Sequence, residues 1–275
     1  GLAHLAGLAR LKKLDLLIGK YFGGKWRLAP WIISHFPEHQ SYVEPCGGAA
    51  SVLLQKERSP LETYNDLDGN VTNFFRVLRE RPGELVEQKK LTPWARAEYN
   101  LSFEPTTNPL EQARRFYIRH QMSISASGRY TSGIRMLKRI EGGIPCKYHT
   151  DLDHLRQIAE RFMAVQIEQL TALKCVEKYD TPETLFYFDP PYVVEKRTNK
   201  KEYAFEVDRA FHIEAAVLLR QSAGYVVVSG YACQLYTDLY EAHGWQRVDT
   251  EARTSGAERM ESLWLNPKTV EALKP

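Results

Sequence analysis

No apolar run of about 18 residues occurs anywhere in this chain, so no membrane-spanning helix is expected. Cysteine is scarce. Cys46, Cys146, Cys175 and Cys233 lie far apart and form no CxxC pair, which argues against a zinc site and against a disulfide scaffold. A reduced, cytoplasmic setting is the expectation. No secretory signal is expected in the leucine-rich stretch at residues 1–20, because Arg10, Lys12, Lys13 and Asp15 break its apolar run; it reads as a short helical arm before the first strand. No internal repeat or low-complexity tract is visible. Acids all but vanish from one region, residues 112–149, where eight Lys and Arg face the single acid Glu141.

What the 275 residues do contain is a recurrence of short β-like runs with helical segments between them, the pattern of an α/β sheet. The clearest are SYVEP (41–45), LETYND (61–66), VQIEQL (165–170), LFYFD (185–189), YVVVSGY (225–231), WQRVDTEA (245–252) and ESLWLN (261–266). The FYF and VVV runs are apolar on both faces, as strands inside a helix-covered sheet should be. The last two runs, with only the polar stretch Arg253 to Met260 between them, read as an antiparallel hairpin at the sheet edge.

Between Arg81 and Ala164 the strand-like runs stop and helix signals replace them. NPLEQARRFYIRHQM opens with Asn108 as N-cap, Pro109 at the first helical position and Glu111 placed for a capping box. LDHLRQIAERF sets Leu152, Leu155, Ile158, Ala159 and Phe162 on one helical face. The expected architecture is therefore a Rossmann-like α/β sheet built from residues 1–80 and 165–275, with an antiparallel edge hairpin and a helical insert at 81–164. The excess of cations in that insert, with Tyr117, Tyr130 and several serines, is the composition of a surface that meets phosphates; a solvated helix face is the alternative.

The segment SYVEPCGGAASVLLQK reads as a strand, a small-residue turn and the start of an apolar helix. Gly47 and Gly48 let the backbone pass close to a ligand, and a helix N-terminus after them would offer free N–H groups. Asp66 stands 18 residues past Gly48, at the end of the next strand, near the spacing at which nucleotide-type sheets place an acid on the ribose hydroxyls. The alternative is that Asp66 caps the helix NVTNFFRVL. The turn has neither the GxGxxG spacing nor a GxxxxGK[ST] phosphate loop, so a nucleoside without a phosphate chain fits best, and S-adenosylmethionine is such a ligand. In LFYFDPPYVVEKR, two prolines remove two N–H donors and stiffen the turn. That leaves the Asp189 carboxylate and the Pro190 carbonyl as fixed acceptors, matched to the two N–H donors of an exocyclic amine, with Tyr192 as a stacking face.

The DPPY turn, together with YVEPCGGAASV and the upstream YFGGKWRLAPWI, resembles the Dam-type (alpha-class) N6-adenine DNA methyltransferases. The order of the motifs along the chain is similar too: GGK, glycine turn, insert, DPPY. The resemblance covers Ile18 to Asn266. It implies a fold of the S-adenosylmethionine-dependent methyltransferase type and a cofactor site drawn from Tyr21, Lys25, Glu44, Gly47, Gly48, Asp66 and Asp189. Cys46 departs from the aromatic usual in relatives, Ala50 from a frequent glycine, and Thr171 from an acid. The resemblance further implies a site-specific enzyme acting as a monomer on double-stranded DNA. A flipped adenine would stack on Tyr192 and donate its amine to Asp189 and the Pro190 carbonyl, with direct methyl transfer and no metal. Arg129, Tyr130, Arg135, Lys138 and Arg139 of the insert are the candidate DNA contacts, and RTSGAER (253–259) is a second candidate surface. The rival readings are the same fold methylating cytosine N4 or a protein glutamine, and a DNA-binding relative with an idle pocket.

Overall fold

The computed structural model describes residues 25–124, 133–136, 153–191, 209–254 and 257–274. The chain divides into two compact units: residues 27–67 with 165–275, and residues 68–164 with the segment up to Trp26.

The first unit is a seven-stranded sheet. Its strands are β1 (Ser41–Glu44), β2 (Leu61–Asn65), β3 (Val165–Glu168), β4 (Thr184–Phe188), β5 (Tyr225–Gly230), β6 (Gln246–Thr254) and β7 (Ala257–Leu265), in the spatial order β3-β2-β1-β4-β5-β7-β6. β1 pairs in parallel with both β2 and β4, and β4 with β5, whereas β7 runs antiparallel to β5 and β6. This is the α/β fold of the S-adenosylmethionine-dependent methyltransferases, with the edge hairpin the sequence leads one to expect. From β1 the chain moves outward through β2 to β3, then returns to the other side of β1 as β4. The carboxyl ends of β1 and β4 thus mark the switch point of the sheet, where such folds open a crevice.

Alternation along the central strands divides their side chains between two faces. Val43, Phe186, Phe188, Val226 and Val228 enter one buried cluster with Val176, Ala215, Ala216, Leu219, Tyr236 and Trp264. Those partners come largely from α7 (Ala172–Tyr179), α8 (Arg209–Gln221) and α9 (Gln234–Leu239). Burial of each large apolar side chain contributes about 1.5–3 kcal/mol. The opposite alternation carries Tyr42 and Glu44 on β1, Tyr187 on β4 and Ser229 on β5. Phe36, after α1 (Ala29–Ile33), packs its ring against Tyr42 and Tyr187 on that side. Asn266 fixes the C-terminal helix α10 (Pro267–Ala272): its Oδ1 accepts from Val226 N and Thr269 N.

The hairpin is longer than its sequence announces. Pairing runs from Gln246↔Leu265 to Thr254↔Ala257, leaving two residues between the strands, so the polar stretch read as a loop is mostly strand. β5 pairs only with Ser262–Leu265, and the rest of the hairpin continues past Gly230 as a two-stranded arm.

The second unit is helical, with α2 (Gly69–Glu80), α3 (Pro82–Leu91), α4 (Arg96–Leu101), α5 (Pro109–Met122) and α6 (Asp153–Phe162). Asp68, not Asp66, caps α2, accepting from Asn70 N at 2.8 Å. α2 packs on α5 and α6. Phe75 stacks on Phe162 with centroids 4.4 Å apart, and Phe74 lies over Tyr117. Leu155, Ile158, Ala159 and Phe162 are all buried, as the helical face requires, while Leu152 lies outside the described residues. Asn108 caps α5 through Leu110 N and Glu111 N. Glu111 does not complete a capping box, because its carboxylate is taken by Arg114 and Arg115.

Candidate active site

Three strand ends meet at the switch point, and each carries a polar group just past its last apolar residue. At the end of β1, Glu44 is 2% exposed, and its Oε1 accepts from Tyr42 OH at 2.7 Å and from Leu53 N at 2.8 Å. Glu44 therefore ties the chain after the glycine turn back to β1. Burial pushes its carboxyl up to about 7, against the two hydrogen bonds and Lys56, with Asp189 adding to the rise.

The glycine turn is held from β2. Gly47 N donates to Asn65 O and Gly48 N to Asp66 Oδ2, both at 2.8 Å, and Tyr64 OH donates to Gly48 O at 2.6 Å. The Asn65 amide donates to Pro45 O and to Leu170 O. Glycine is required at position 47, because a Cβ there would lie 2.2 Å from the Tyr64 ring. Gly48 has φ 47° and Ala50 φ 54°, so Ala50 occupies a left-handed conformation that favours glycine. The expected helix after the turn is absent. Residues 51–55 instead form successive turns, with Leu54 N donating to Ala50 O and Leu53 N to Glu44 Oε1. The N–H groups of Gly48 and Leu53 are accordingly spent on carboxylates rather than held open.

Asp189 follows β4, partly exposed, with Pro190 buried behind it. Ser229 Oγ donates to Asp189 Oδ1 at 2.5 Å. Cys46 lies close enough to both Asp66 and Asp189 that burial and those two carboxylates hold its thiol well above its usual range. The turn, Asp66 and Asp189 are thereby gathered into one acidic crevice at the carboxyl ends of β1, β2 and β4.

Lys25 belongs to the other unit and is not a surface lysine, being 6% exposed. Tyr21, Tyr192, Arg129, Tyr130, Lys138 and Arg139 lie outside the described residues. Arg135 is described: its backbone N–H donates to Met122 O at 2.7 Å, its carbonyl accepts from Trp94 Nε1 at 3.0 Å, and Ile124 N donates to Gly133 O. With the bridge Ser123↔Ile134, these bonds clamp the two ends of the segment that carries Arg129 and Tyr130. Two cations of the basic insert are structural. Arg114, 8% exposed, bonds Glu111, Glu98 and Thr92, and Arg115 bonds Glu111 and two backbone carbonyls. Thr171 Oγ1 accepts from Lys174 N as the cap of α7.

Sequence reasoning missed Tyr64, Asn65, Tyr187 and Ser229. Ser229 alone carried a signal, as a hydroxyl ending the apolar run of β5. Among the described residues no group of three or more His, Cys, Asp or Glu could hold a metal, and no helix is long and apolar enough to cross a membrane.

Two DNA adenine methylases of Vibrio cholerae serotype O1, from a Classical Ogawa and an El Tor Inaba strain, are each 34% identical to this chain over 73 residues. Those segments make up 26% of this chain and 25% of each relative, so the chain is matched to about a quarter of their length. The wider comparison reaches much further, covering the glycine turn, Asp66, the insert, Asp189 and all of β6. Over residues 21–254 the sequence matches the D12 class N6 adenine-specific DNA methyltransferases, and it is to this family that the chain belongs.

Proposed function

We propose that this chain methylates N6 of adenine in double-stranded DNA, using S-adenosylmethionine. Its family implies a methyl donor acting with DNA. The observation that carries the reading is the gathering of Asp66 and Asp189 around one glycine turn at the switch point of the sheet. The donor set fits the proposed cofactor. Asp66 is placed to accept ribose hydroxyls at the edge of a turn whose N–H groups are already engaged, and an acid-rich crevice suits a cationic ligand. Tyr21, Lys25, Glu44, Gly47 and Gly48 complete the proposed cofactor residues, Glu44 acting by shaping the turn. When bound, S-adenosylmethionine supplies an electrophilic methyl group.

The chain's own part is to present the nucleophile. Asp189 Oδ and the Pro190 carbonyl accept the two amine protons of a flipped adenine, while Tyr192 stacks on its ring. These bonds turn the nitrogen lone pair out of conjugation and aim it along the line of attack. Asp189 would favour loss of the amine proton to solvent as the nitrogen gains its bond to the methyl carbon and the sulfonium carbon–sulfur bond breaks, leaving a neutral thioether. Fixed acceptors and alignment supply most of the rate enhancement, and no metal is required. Arg129, Tyr130, Arg135, Lys138 and Arg139 hold the duplex.

The test is methyl transfer by the purified chain from labelled cofactor to mixed-sequence duplex DNA. N6-methyladenine is the expected product, and Asp189→Ala should lose turnover while keeping DNA affinity. Label confined to cytosine, or no label, would overturn the reading. Loss of DNA binding in an Arg129→Ala and Arg135→Ala double variant, with cofactor affinity intact, would locate the recognition surface in the insert; unchanged binding would place it elsewhere.

A further inference from the structure

Asp189 is the end of a short chain of hydroxyl groups. Ser229 Oγ donates to its Oδ1 at 2.5 Å, and Tyr187 OH donates to Ser229 Oγ at 3.3 Å. The sheet register makes this geometry. Phe188 pairs in parallel with Val228, so the next residues, Asp189 and Ser229, lie beside one another, and the two-residue period puts Tyr187 and Asp189 on the same face. Ser229 is 1% exposed and Tyr187 3%, so water does not compete for either hydroxyl. A serine that follows Val226, Val227 and Val228 in a buried strand must satisfy its hydroxyl internally. It has one proton to give, and that proton goes to the carboxylate.

We infer that Ser229 is a positioning residue for amine methylation, with Tyr187 holding it in turn. The inference rests on the reading of Asp189 as the acceptor for the target amine. An aspartate at a strand end can turn about two side-chain bonds, and its acceptor lone pairs sweep through space as it does. A charge-assisted bond from a buried donor fixes the plane of the carboxylate, so that the lone pairs meet the amine from a constant direction. The reaction is sensitive to that direction, because a misplacement of about 1 Å costs on the order of a hundredfold in rate. Tyr187 adds a second constraint. By donating to Ser229 Oγ it occupies the serine's acceptor side and leaves the serine proton directed at Asp189.

The full chain, cofactor and duplex DNA suffice for the test. Ser229→Ala should lower kcat by about 10- to 100-fold, while dissociation constants for S-adenosylmethionine and DNA stay within about twofold. Tyr187→Phe should lower kcat by about threefold in the wild-type background and add nothing further to Ser229→Ala, because both changes remove the same constraint. Ser229→Thr, which keeps the hydroxyl, should retain most of the activity. A Ser229→Ala enzyme with wild-type kcat would overturn the inference, as would a loss that falls on cofactor or DNA affinity alone, or multiplication of the two effects in the double variant. Should Ser229→Ala fail to fold, Tyr187→Phe decides: unchanged kcat overturns the inference. A wild-type chain that methylates no adenine would overturn the proposed function instead, so the two failures are distinguishable.

Discussion

Gly48 donates its amide proton to the Asp66 carboxylate at 2.8 Å, so the acid expected to receive a sugar also fixes the turn beside it. Asp66→Ala should therefore weaken S-adenosylmethionine binding by about 10- to 100-fold through lost ligand bonds and a loosened turn. Asp66→Asn, which keeps an acceptor for Gly48, should lose less. Calorimetric titration with cofactor, alongside DNA binding as the control, checks this; unaltered cofactor affinity in Asp66→Ala would remove the residue from the site.

Two neighbouring substitutions in the same turn should have opposite signs. Gly47→Ala drives a methyl group into the Tyr64 ring, which is fully buried and cannot swing away, so a loss of about 1–3 kcal/mol or more is expected. Ala50→Gly removes a left-handed cost of about 1–2 kcal/mol and adds about 0.4–1 kcal/mol of backbone entropy cost, for a net effect between neutral and about 1.6 kcal/mol of gain. Denaturant midpoints of the two variants measure both effects.

Much of the crevice was legible in the sequence because its parts are local. A strand end followed by two glycines, an acid at the end of the next strand and a proline-stiffened turn each announce themselves within a few residues. What was not legible depended on partners distant in sequence. Arg114 reads as a phosphate contact until Glu98 comes into view, and Ser229 gains meaning only through its register with β4. The hairpin was expected, but its length was not, because the polar stretch from Arg253 to Met260 carries no apolar alternation and reads as a loop. The helix expected after the glycine turn is replaced by successive turns that follow a left-handed Ala50.

The insert's arginines should separate by function. Arg114→Ala breaks a nearly buried set of charged hydrogen bonds and should cost about 2 kcal/mol or more of stability, with little change in the salt dependence of DNA binding. Arg135→Ala should leave stability nearly intact, because among the described residues its guanidinium reaches only Ile124 O, at 3.4 Å. It should also reduce the slope of DNA affinity against salt by about one phosphate contact. Thermal melts and binding at several salt concentrations distinguish the two.

Glu44 makes the cofactor-free protein sensitive to pH in a definite direction. Its carboxyl is raised from 4.5 to about 7, so the folded state holds the proton more tightly than the unfolded chain. The stability this confers is complete below about 4.5, declines as pH rises towards 7 and is gone above it; the full change is about 3 kcal/mol. Glu44→Gln cannot titrate yet still accepts from Tyr42 and Leu53. Relative to wild type, its stability should climb between those pH values and then level off, as chemical denaturation across the range would reveal. A constant difference would mean that Glu44 does not titrate there.

The internal bonding of the glycine turn also governs which adenine nucleosides can compete for the crevice. Nucleotide sites that grip phosphate do so with backbone N–H groups turned towards the ligand. Here the amides of Gly47, Gly48 and Leu53 are turned inward, onto Asn65, Asp66 and Glu44. A triphosphate would meet carboxylates where it needs donors, and like charges would repel it. On the proposed function, the turn that would admit a sulfonium would thus act as a charge filter against ATP.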